Sequence, residues 1–309
     1  MAELVPHLQQ EGLSRPLLVT DATIAGLSFF KTLLQPLEQA GMSVQVYHDI
    51  HKNPVGTDVE RGAAVFRATD RDAIVGIGGG AALDVARAIA LRIHHHRPLW
   101  DYDDLTGGDQ YITGPVPHFV TIPTTSGTGS EVGRSAIISE DDTKRKRILF
   151  SPKLLAKLVL ADPLLTMELP PAVTAATGMD ALTHNMEAYI ARGYHPMAEG
   201  IALQGMGLAA RHLAAAVHRP TLESRSYMML ASIMGAVAFQ KGLGVVHSLA
   251  HPLSSLLDVH HGLANALMLP HGMAFNYEGM EEAFGQMAYA LGLGPTASQE
   301  VVPWLQQLP

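Results

Sequence analysis

Cysteine is missing from this chain of 309 residues, which excludes disulfide bonds and thiolate metal ligands. Positive charge is also scarce, since 21 Lys and Arg stand against 29 Asp and Glu for a net charge of -8. A phosphate backbone or an anionic membrane selects for the opposite balance, so nucleic acid and membranes are not expected as partners. Any metal must be held by carboxylates and by some of the 16 histidines.

Long apolar runs are absent too, and the N-terminal stretch MAELVPHLQQEG lacks a basic region followed by an apolar one. We therefore expect a cytoplasmic protein. Hydrophobic residues make up 47% of the chain, which suffices for a substantial core and for two domains.

The first part of the chain alternates short β-rich apolar runs with helical stretches, which predicts parallel βαβ units. Crossover helices are expected at 27–40 and 58–69. After residue 169 the chain is rich in Ala, Leu and Met at helical spacing, with breaks near 193–196 and 218–220. We expect an α/β domain over 1–168 and an all-α domain over 169–309. The predicted strands are 16–20, 43–47, 73–76, 118–122 and 158–161.

Two glycine-rich segments follow predicted strands of the α/β part. The run AIVGIGGG (73–80) leads into a predicted helix at 81–91, and IPTTSGTGSE (122–131) sets five hydroxyl side chains among two glycines. Such segments offer backbone amides and hydroxyls to phosphate oxygens at a helix N-terminus. Each is also compatible with a plain turn, but two of them after strands of one sheet favour a dinucleotide.

Asp21 closes the first predicted strand. A carboxylate there could accept hydrogen bonds from ribose hydroxyls and repel a 2′-phosphate, which would favour NAD over NADP. The same residue could instead cap a helix N-terminus, and the sequence leaves both roles open.

Histidines and an aspartate recur at helical spacing in the second half. Asp180 and His184 are four residues apart, His247 and His251 repeat this spacing, and His261 follows. One carboxylate and three imidazoles would leave an open coordination position and suit Fe(II), Zn(II) or a similar ion. A single such histidine would more often be a satisfied core residue, and Asp180 could be a buried hydrogen-bond acceptor. The run His94–His96 is expected at the surface, because consecutive helical residues point in different directions.

Five segments carry a family resemblance: GGGAALD (78–84), PTTSGTGSE (123–131), GMDALTHNMEAY (178–189), GLGVVHSLAHP (242–252) and HGLANA (261–266). Together they resemble the iron-containing (group III) alcohol dehydrogenase family over nearly the whole chain. The resemblance implies an α/β dinucleotide-binding domain and a helical domain of the dehydroquinate synthase-like type. It further implies transfer of a hydride between NAD and a small alcohol, aldehyde or ketone, in a homo-oligomer that is a dimer or larger.

The resemblance also assigns residues. Asp180, His184, His247 and His261 match the family's metal ligands, with Fe(II) expected and Zn(II) the alternative. His251 matches a further histidine near nicotinamide and substrate, which could relay a proton or simply pack beside the metal. The positions that match NAD contacts are Asp21, Asn53, Gly79, Gly80, Asp84, Thr124, Thr125, Thr128 and Lys146.

Three departures from the family pattern stand out. Ala81 replaces a serine found in many relatives, so we expect weaker phosphate binding. Relatives begin with a short strand before the segment that starts near Gly12, and they continue past Pro309 with further helices. The alternatives to a dehydrogenase are a lyase of the dehydroquinate synthase type, disfavoured by the few Lys and Arg near the helical motifs, and a non-catalytic NAD- and metal-binding remnant.

Overall fold

The computed structural model describes residues 2–294 and 296–308, and these form two compact units. One unit comprises the chain up to Thr124 together with Ser130–Asp162; the other comprises Thr125–Gly129 and the chain from Pro163 onward. The expected boundary follows residue 168, a few residues later. The prediction that relatives continue with further helices after Pro309 concerns a residue that lies outside the described residues.

The first unit is built on a parallel sheet. Each of the five predicted strand segments supplies one of its strands, in the order β2-β1-β3-β4-β7, and two further strands, β5 and β6, pair as an antiparallel hairpin. β3 is buried along its whole length, as expected of a central parallel strand that is covered on both faces. The strands are β1 (Pro16–Val19), β2 (Gln45–Tyr47), β3 (Ala73–Gly78), β4 (His118–Pro123), β5 (Ser135–Ser139), β6 (Lys146–Phe150) and β7 (Leu158–Val159).

Helices of the first unit cover this sheet. Both predicted crossover helices are present, as α3 and α4, and the helix expected after the three glycines is α5. α5 is buried along most of its length and packs with β3 and α4 around the core of this unit. The helices are α1 (Leu4–Gln10), α2 (Ala22–Gly26), α3 (Ser28–Gln39), α4 (Gly56–Ala68) and α5 (Gly80–His94).

The histidine run at the end of α5 departs from expectation. The prediction that residues 94–96 lie at the surface is wrong for His95, which is only 5% exposed. The chain leaves the helix at this residue, so the ring turns inward. Its Nδ1 lies 2.9 Å from the Leu91 carbonyl oxygen, and its Nε2 accepts from the Gly114 amide at 3.1 Å. Burial lowers the pKa of His95, which acts as a satisfied core histidine.

The second unit is helical, and its breaks fall where the sequence predicts them. α6 begins with Pro171 at its first position, where the missing amide hydrogen costs nothing. It is buried over most of its surface because α7, α8 and α10 pack around it. The helices are α6 (Pro171–Ile190), α7 (Pro196–His218), α8 (Leu222–Ala238), α9 (Val245–Leu257), α10 (His261–Asn276), α11 (Glu281–Leu291) and α12 (Val301–Leu305).

Among the described residues, no single helix has both the length and the apolar composition to cross a membrane. One pair of segments, Leu222–Lys241 and Val245–Leu257, meets both criteria only when joined across a bend of 109°.

Candidate active site

Three helices of the second unit bring the predicted metal ligands together. α6 places Asp180 and His184 on one face, one turn apart, and both residues are 3% exposed. α9 contributes His247, which is equally buried, and α10 begins with the partly exposed His261. The side chains meet although the three helices are far apart in sequence.

The imidazoles surround one carboxylate oxygen. Asp180 Oδ1 lies 3.8 Å from His184 Nε2, 3.9 Å from His247 Nε2 and 3.6 Å from His261 Nε2. One ligand atom each from Asp180, His247 and His261 lies within 4.8 Å of the other two, and the rings of His184 and His247 stack with centroids 4.6 Å apart. Since metal bonds to such atoms are about 2.1 Å long, small side-chain shifts would suffice to bring these three atoms around one ion. His184 lies 3.8 Å from Asp180 Oδ1 but is not part of this group of three.

A test of whether these residues fit a cation comes from Asn265, one turn along α10 from His261. Its amide nitrogen donates to Asp180 Oδ1 at 2.7 Å and lies 3.2 Å from both His247 Nε2 and His261 Nε2. One carboxylate oxygen and two imidazole nitrogens therefore lie around one point. One carboxylate oxygen and several imidazole nitrogens are ligand atoms that suit a divalent metal.

The protonation states of Asp180 and His184 also suit metal binding. Burial favours neutral Asp180, but the neighbouring histidines and Asn265 outweigh it and lower its pKa to about 2. Burial lowers the pKa of His184 to about 4. At neutral pH the cluster thus offers an ionised carboxylate and a neutral imidazole, the forms that bind metal.

A second carboxylate lies behind His247. Glu187 Oε2 is 2.6 Å from His247 Nδ1, and the same side chain accepts from the amides of Val246 and His247 at 2.7 and 3.1 Å. Burial would raise the pKa of Glu187, but these hydrogen bonds, His247 first among them, hold it below its ordinary value. Sequence reasoning assigns this residue no role, although its spacing from Asp180 and His184 puts all three on one face of α6.

His251 lies beside the cluster. It follows His247 by one turn of α9, its ring centroid is 5.9 Å from that of His247 and 5.5 Å from that of His261, and the residue is exposed. It therefore connects the buried cluster with solvent.

In the first unit, the triple glycine forms the turn from β3 into α5. Gly78 has φ +147°, and a Cβ on it would lie 2.7 Å from Ala82 Cβ and 3.7 Å from Asp21 Oδ2. Gly79 is the N-cap of α5 and supplies no side-chain cap, and Gly80 is the first helical residue. Within the described residues the N-cap of α5 thus offers no side-chain acceptor to the first-turn amides, a feature of helix ends that bind anions.

Asp21 serves as a helix cap. Its Oδ1 accepts from the Ile24 amide at 2.9 Å at the start of α2, so the capping alternative is observed. The other oxygen, Oδ2, lies beside the glycine turn, 3.7 Å from where a Cβ on Gly78 would be. The two roles use different oxygens.

The hydroxyl-rich segment begins directly after β4. The Thr124 amide donates to the Gly78 carbonyl at 3.0 Å, and its Oγ1 is buried with no hydrogen-bond partner in the described part of the chain. Thr125 and Thr128 are partly exposed. They lie in the stretch Thr125–Gly129, which belongs to the helical unit. In that stretch the Gly127 carbonyl oxygen accepts from Ser232 Oγ at 3.0 Å. The unpaired Thr124 hydroxyl suits a polar ligand.

Asp84 follows the glycine turn, but its carboxylate is buried and bonded within the protein. It is 7% exposed, Oδ1 accepts from Ser130 Oγ at 2.6 Å and from Arg87 Nη1 at 3.0 Å, and Oδ2 accepts from the Ile137 amide at 3.0 Å. The carboxylate thus links α5 to Ser130 and to the hairpin. Sequence reasoning does not anticipate Arg87 and Ser130 as its partners.

The last two predicted cofactor residues, Asn53 and Lys146, are linked through Ser139 of the hairpin. Asn53 is exposed ahead of α4, and Lys146 begins β6. Ser139 pairs with Lys146 on one side and donates its amide to the Pro54 carbonyl at 2.8 Å on the other. The structure therefore brings both residues to one region of the first unit.

Comparison with known proteins gives the same family as the motifs. Residues 1–163 match the model described as iron-containing alcohol dehydrogenase, and 174–308 match the C-terminal model of the Fe-containing alcohol dehydrogenase family. The 4-hydroxybutyrate dehydrogenase of Cupriavidus necator is 41% identical over 279 residues, 88% of this chain and 72% of the relative. The NAD-dependent methanol dehydrogenase of Bacillus methanolicus is 35% identical, over 94% of this chain and 76% of the relative.

A solved structure agrees. A crystal structure of 1,3-propanediol oxidoreductase superimposes with a TM-score of 0.93 at 36% identity, covering 98% of this chain and 81% of that one. The sheet, the glycine turn and the acid-histidine cluster define a dehydrogenase that uses NAD and a metal. The chain belongs to the iron-containing alcohol dehydrogenase family. The comparisons give no support to the lyase alternative.

Proposed function

We propose that this chain transfers a hydride between NAD and a short-chain alcohol or diol at a divalent metal held by Asp180, His184, His247 and His261. The observation that carries the proposal is the convergence of three imidazole nitrogens on Asp180 Oδ1 in a buried site. When bound, the metal would supply a Lewis acid that favours the alkoxide form of the substrate alcohol. Fe(II) is the proposed ion and Zn(II) the alternative, since nitrogen and oxygen donors suit both.

The protein supplies charge balance and proton transfer around this centre. Ionised Asp180, which is 3% exposed, would offset part of the divalent charge. His251 is proposed to accept the hydroxyl proton on a ring nitrogen and pass it to solvent, because it is exposed while its ring lies against that of His261.

The NAD site is proposed on the first unit. The amides at Gly79 and Gly80 would bind the pyrophosphate at the N-terminus of α5, and Asp21 would accept from the ribose hydroxyls. Thr124, Asn53 and Lys146 are proposed as further contacts on this unit. Thr125 and Thr128 belong to the second unit and stay predictions from the sequence. Asp84 acts indirectly in this proposal, by holding Ser130 and the hairpin. Cytoplasmic location and a homo-oligomeric state complete it.

The substrate proposal follows the relatives. Three of them are named for 4-hydroxybutyrate, 1,3-propanediol and methanol, all small and each carrying a primary alcohol. The first test is NADH formation by the purified chain, reconstituted with Fe(II) or Zn(II) without oxygen and offered short primary alcohols, secondary alcohols and diols. Metal-dependent turnover is the expected result.

Variants make the test specific. His247→Ala and His261→Ala should abolish turnover while NAD binding, followed by fluorescence, survives; His218→Ala, at an exposed helix end, serves as the matched control. Full activity in either site variant would refute the proposed metal site. Binding of NAD and metal without turnover of any alcohol would instead favour the non-catalytic remnant.

A further inference from the structure

The carboxylate of Glu187 makes two kinds of contact at once. It accepts from the amides of Val246 and His247 in the first turn of α9, and it accepts from the His247 ring at Nδ1. The side chain is completely buried, so none of these bonds competes with water. One anion therefore both caps the helix that carries His247 and contacts the imidazole itself.

The electrostatics favour this arrangement. The N-terminus of α9 carries unpaired amides and the positive end of the helix dipole, and its N-cap, Gly244, supplies no side-chain acceptor. Glu187, from another helix, takes over that function. A buried carboxylate that meets two amides and an imidazole N–H is well paired, which a buried charge requires.

The contact also determines which ring nitrogen of His247 carries hydrogen. A carboxylate can only accept, so Nδ1 must donate, and Nε2 keeps its lone pair. That Nε2 is the atom 3.2 Å from Asn265 Nδ2 and 3.9 Å from Asp180 Oδ1. The lone pair therefore points into the proposed metal site.

We propose that Glu187 is a positioning residue for the metal centre: it holds His247 in the tautomer and orientation that present Nε2 to the ion. The inference rests on the proposed metal site and adds a residue that does not touch the metal. Carboxylate partners of ligating histidines raise ligand basicity and fix ring orientation, and their loss weakens metal binding by about 10- to 100-fold.

Gly244 gives an independent way to disturb the contact. A Cβ on Gly244 would lie 2.7 Å from Glu187 Oε1, so Gly244→Ala must push the carboxylate away without removing its charge. Glu187→Gln keeps the size of the side chain, but only one of its two terminal atoms can accept a hydrogen bond. Glu199→Gln is the matched control, because Glu199 pairs with Lys241 in the same unit at 2.8 Å and lies outside the cluster.

The first readout is the affinity of the purified chain for Zn(II), measured by competition with a chromophoric chelator across pH. We expect Glu187→Gln and Gly244→Ala to bind about 10- to 100-fold more weakly than wild type, and Glu199→Gln to bind like wild type. Wild-type affinity in Glu187→Gln, even with a lowered melting temperature, would make Glu187 a helix cap only and overturn the inference.

The second readout needs no variant and no metal. Long-range proton-nitrogen correlation spectra of the metal-free wild-type protein, labelled with ¹⁵N-histidine, should show His247 protonated at Nδ1 and bare at Nε2. The opposite tautomer overturns the inference, even if the variants fail to fold. If wild type binds no Zn(II), the proposed metal site fails and the positioning role of Glu187 fails with it. If wild type binds Zn(II) and Glu187→Gln binds it equally well, the metal site stands and only the inference about Glu187 is overturned.

Discussion

Asn265 donates its side-chain amide to Asp180 Oδ1 across 2.7 Å, joining residues that are 85 positions apart in the chain. The same nitrogen lies 3.2 Å from the Nε2 atoms of His247 and His261. A neutral donor thus satisfies Asp180 Oδ1 and lies beside two nitrogens that a metal would bind.

Removing that donor should make the stability of the protein more dependent on bound metal. Asn265→Ala leaves the buried Asp180 carboxylate short of a partner, so the metal-free protein should lose about 1–3 kcal/mol of stability. Added Zn(II) replaces the lost donor, so its stabilising effect should exceed that in wild type. Thermal unfolding with and without Zn(II) measures both, with Asn276→Ala at the end of the same helix as control. Equal metal-induced shifts in Asn265→Ala and wild type would contradict this.

The buried Asp84–Arg87 pair should matter far more than a surface pair. Asp84→Asn leaves the Arg87 charge fully buried without its counter-ion, and breaking such pairs costs about 3–5 kcal/mol. Asp49→Asn is the control, because the Asp49–Arg61 pair is exposed and such pairs contribute about 0–1 kcal/mol. Urea unfolding of both variants tests the difference. A loss in Asp84→Asn no greater than in Asp49→Asn would show that the pair is not needed.

Gly262 sets the approach of α10 to α6. A Cβ there would lie 2.1 Å from the Ala176 carbonyl oxygen, which belongs to backbone and cannot turn aside. Gly262→Ala should therefore cost about 1–3 kcal/mol through overpacking. It should also weaken Zn(II) binding, since the adjacent His261 must shift.

Gly200→Ala provides the matched control for that change. Gly200 lies in α7 with nothing within 4 Å of an added Cβ, so alanine should stabilise by up to about 1 kcal/mol. Chemical denaturation and chelator competition measure both variants. Unchanged stability and metal affinity in Gly262→Ala would refute the role of this close contact.

Glu131 should make stability depend on pH. Its residue is 2% exposed, its Oε1 lacks a hydrogen-bond partner among the described residues, and burial raises its pKa from 4.5 to about 7. A folded-state pKa above the unfolded one means that the folded protein binds the proton more tightly. The contribution is therefore fully present below pH 4.5 and is lost as pH rises through about 7.

The matching variant is Glu131→Gln, which stays neutral at every pH. Its stability relative to wild type should rise by about 3 kcal/mol between the low and the high end of that range. Urea unfolding at pH 4.5 and pH 8 gives the comparison. A constant difference between the two proteins across this range would rule out titration of Glu131.

The elements of both units could be predicted because their signals are local. β3 is apolar along its length because both of its faces are covered, and α6 carries Asp180 and His184 one turn apart. The hairpin strands β5 and β6 were not among the predicted strands, because both are short and β6 begins with two charged residues. His95 was placed wrongly because the turn that buries it depends on Gly114, a contact 19 residues away.

By itself, the sequence determined which side chains share a helix face, where the glycine turn follows its strand, and which family the motifs resemble. These properties depend on spacing and on backbone sterics within a few residues. Only the tertiary structure decided that Glu187 meets His247, that Asn265 meets Asp180, and that Asp84 binds Ser130. The physical reason is that most of these contacts join elements far apart in sequence, so they depend on how the helices pack and not on local periodicity.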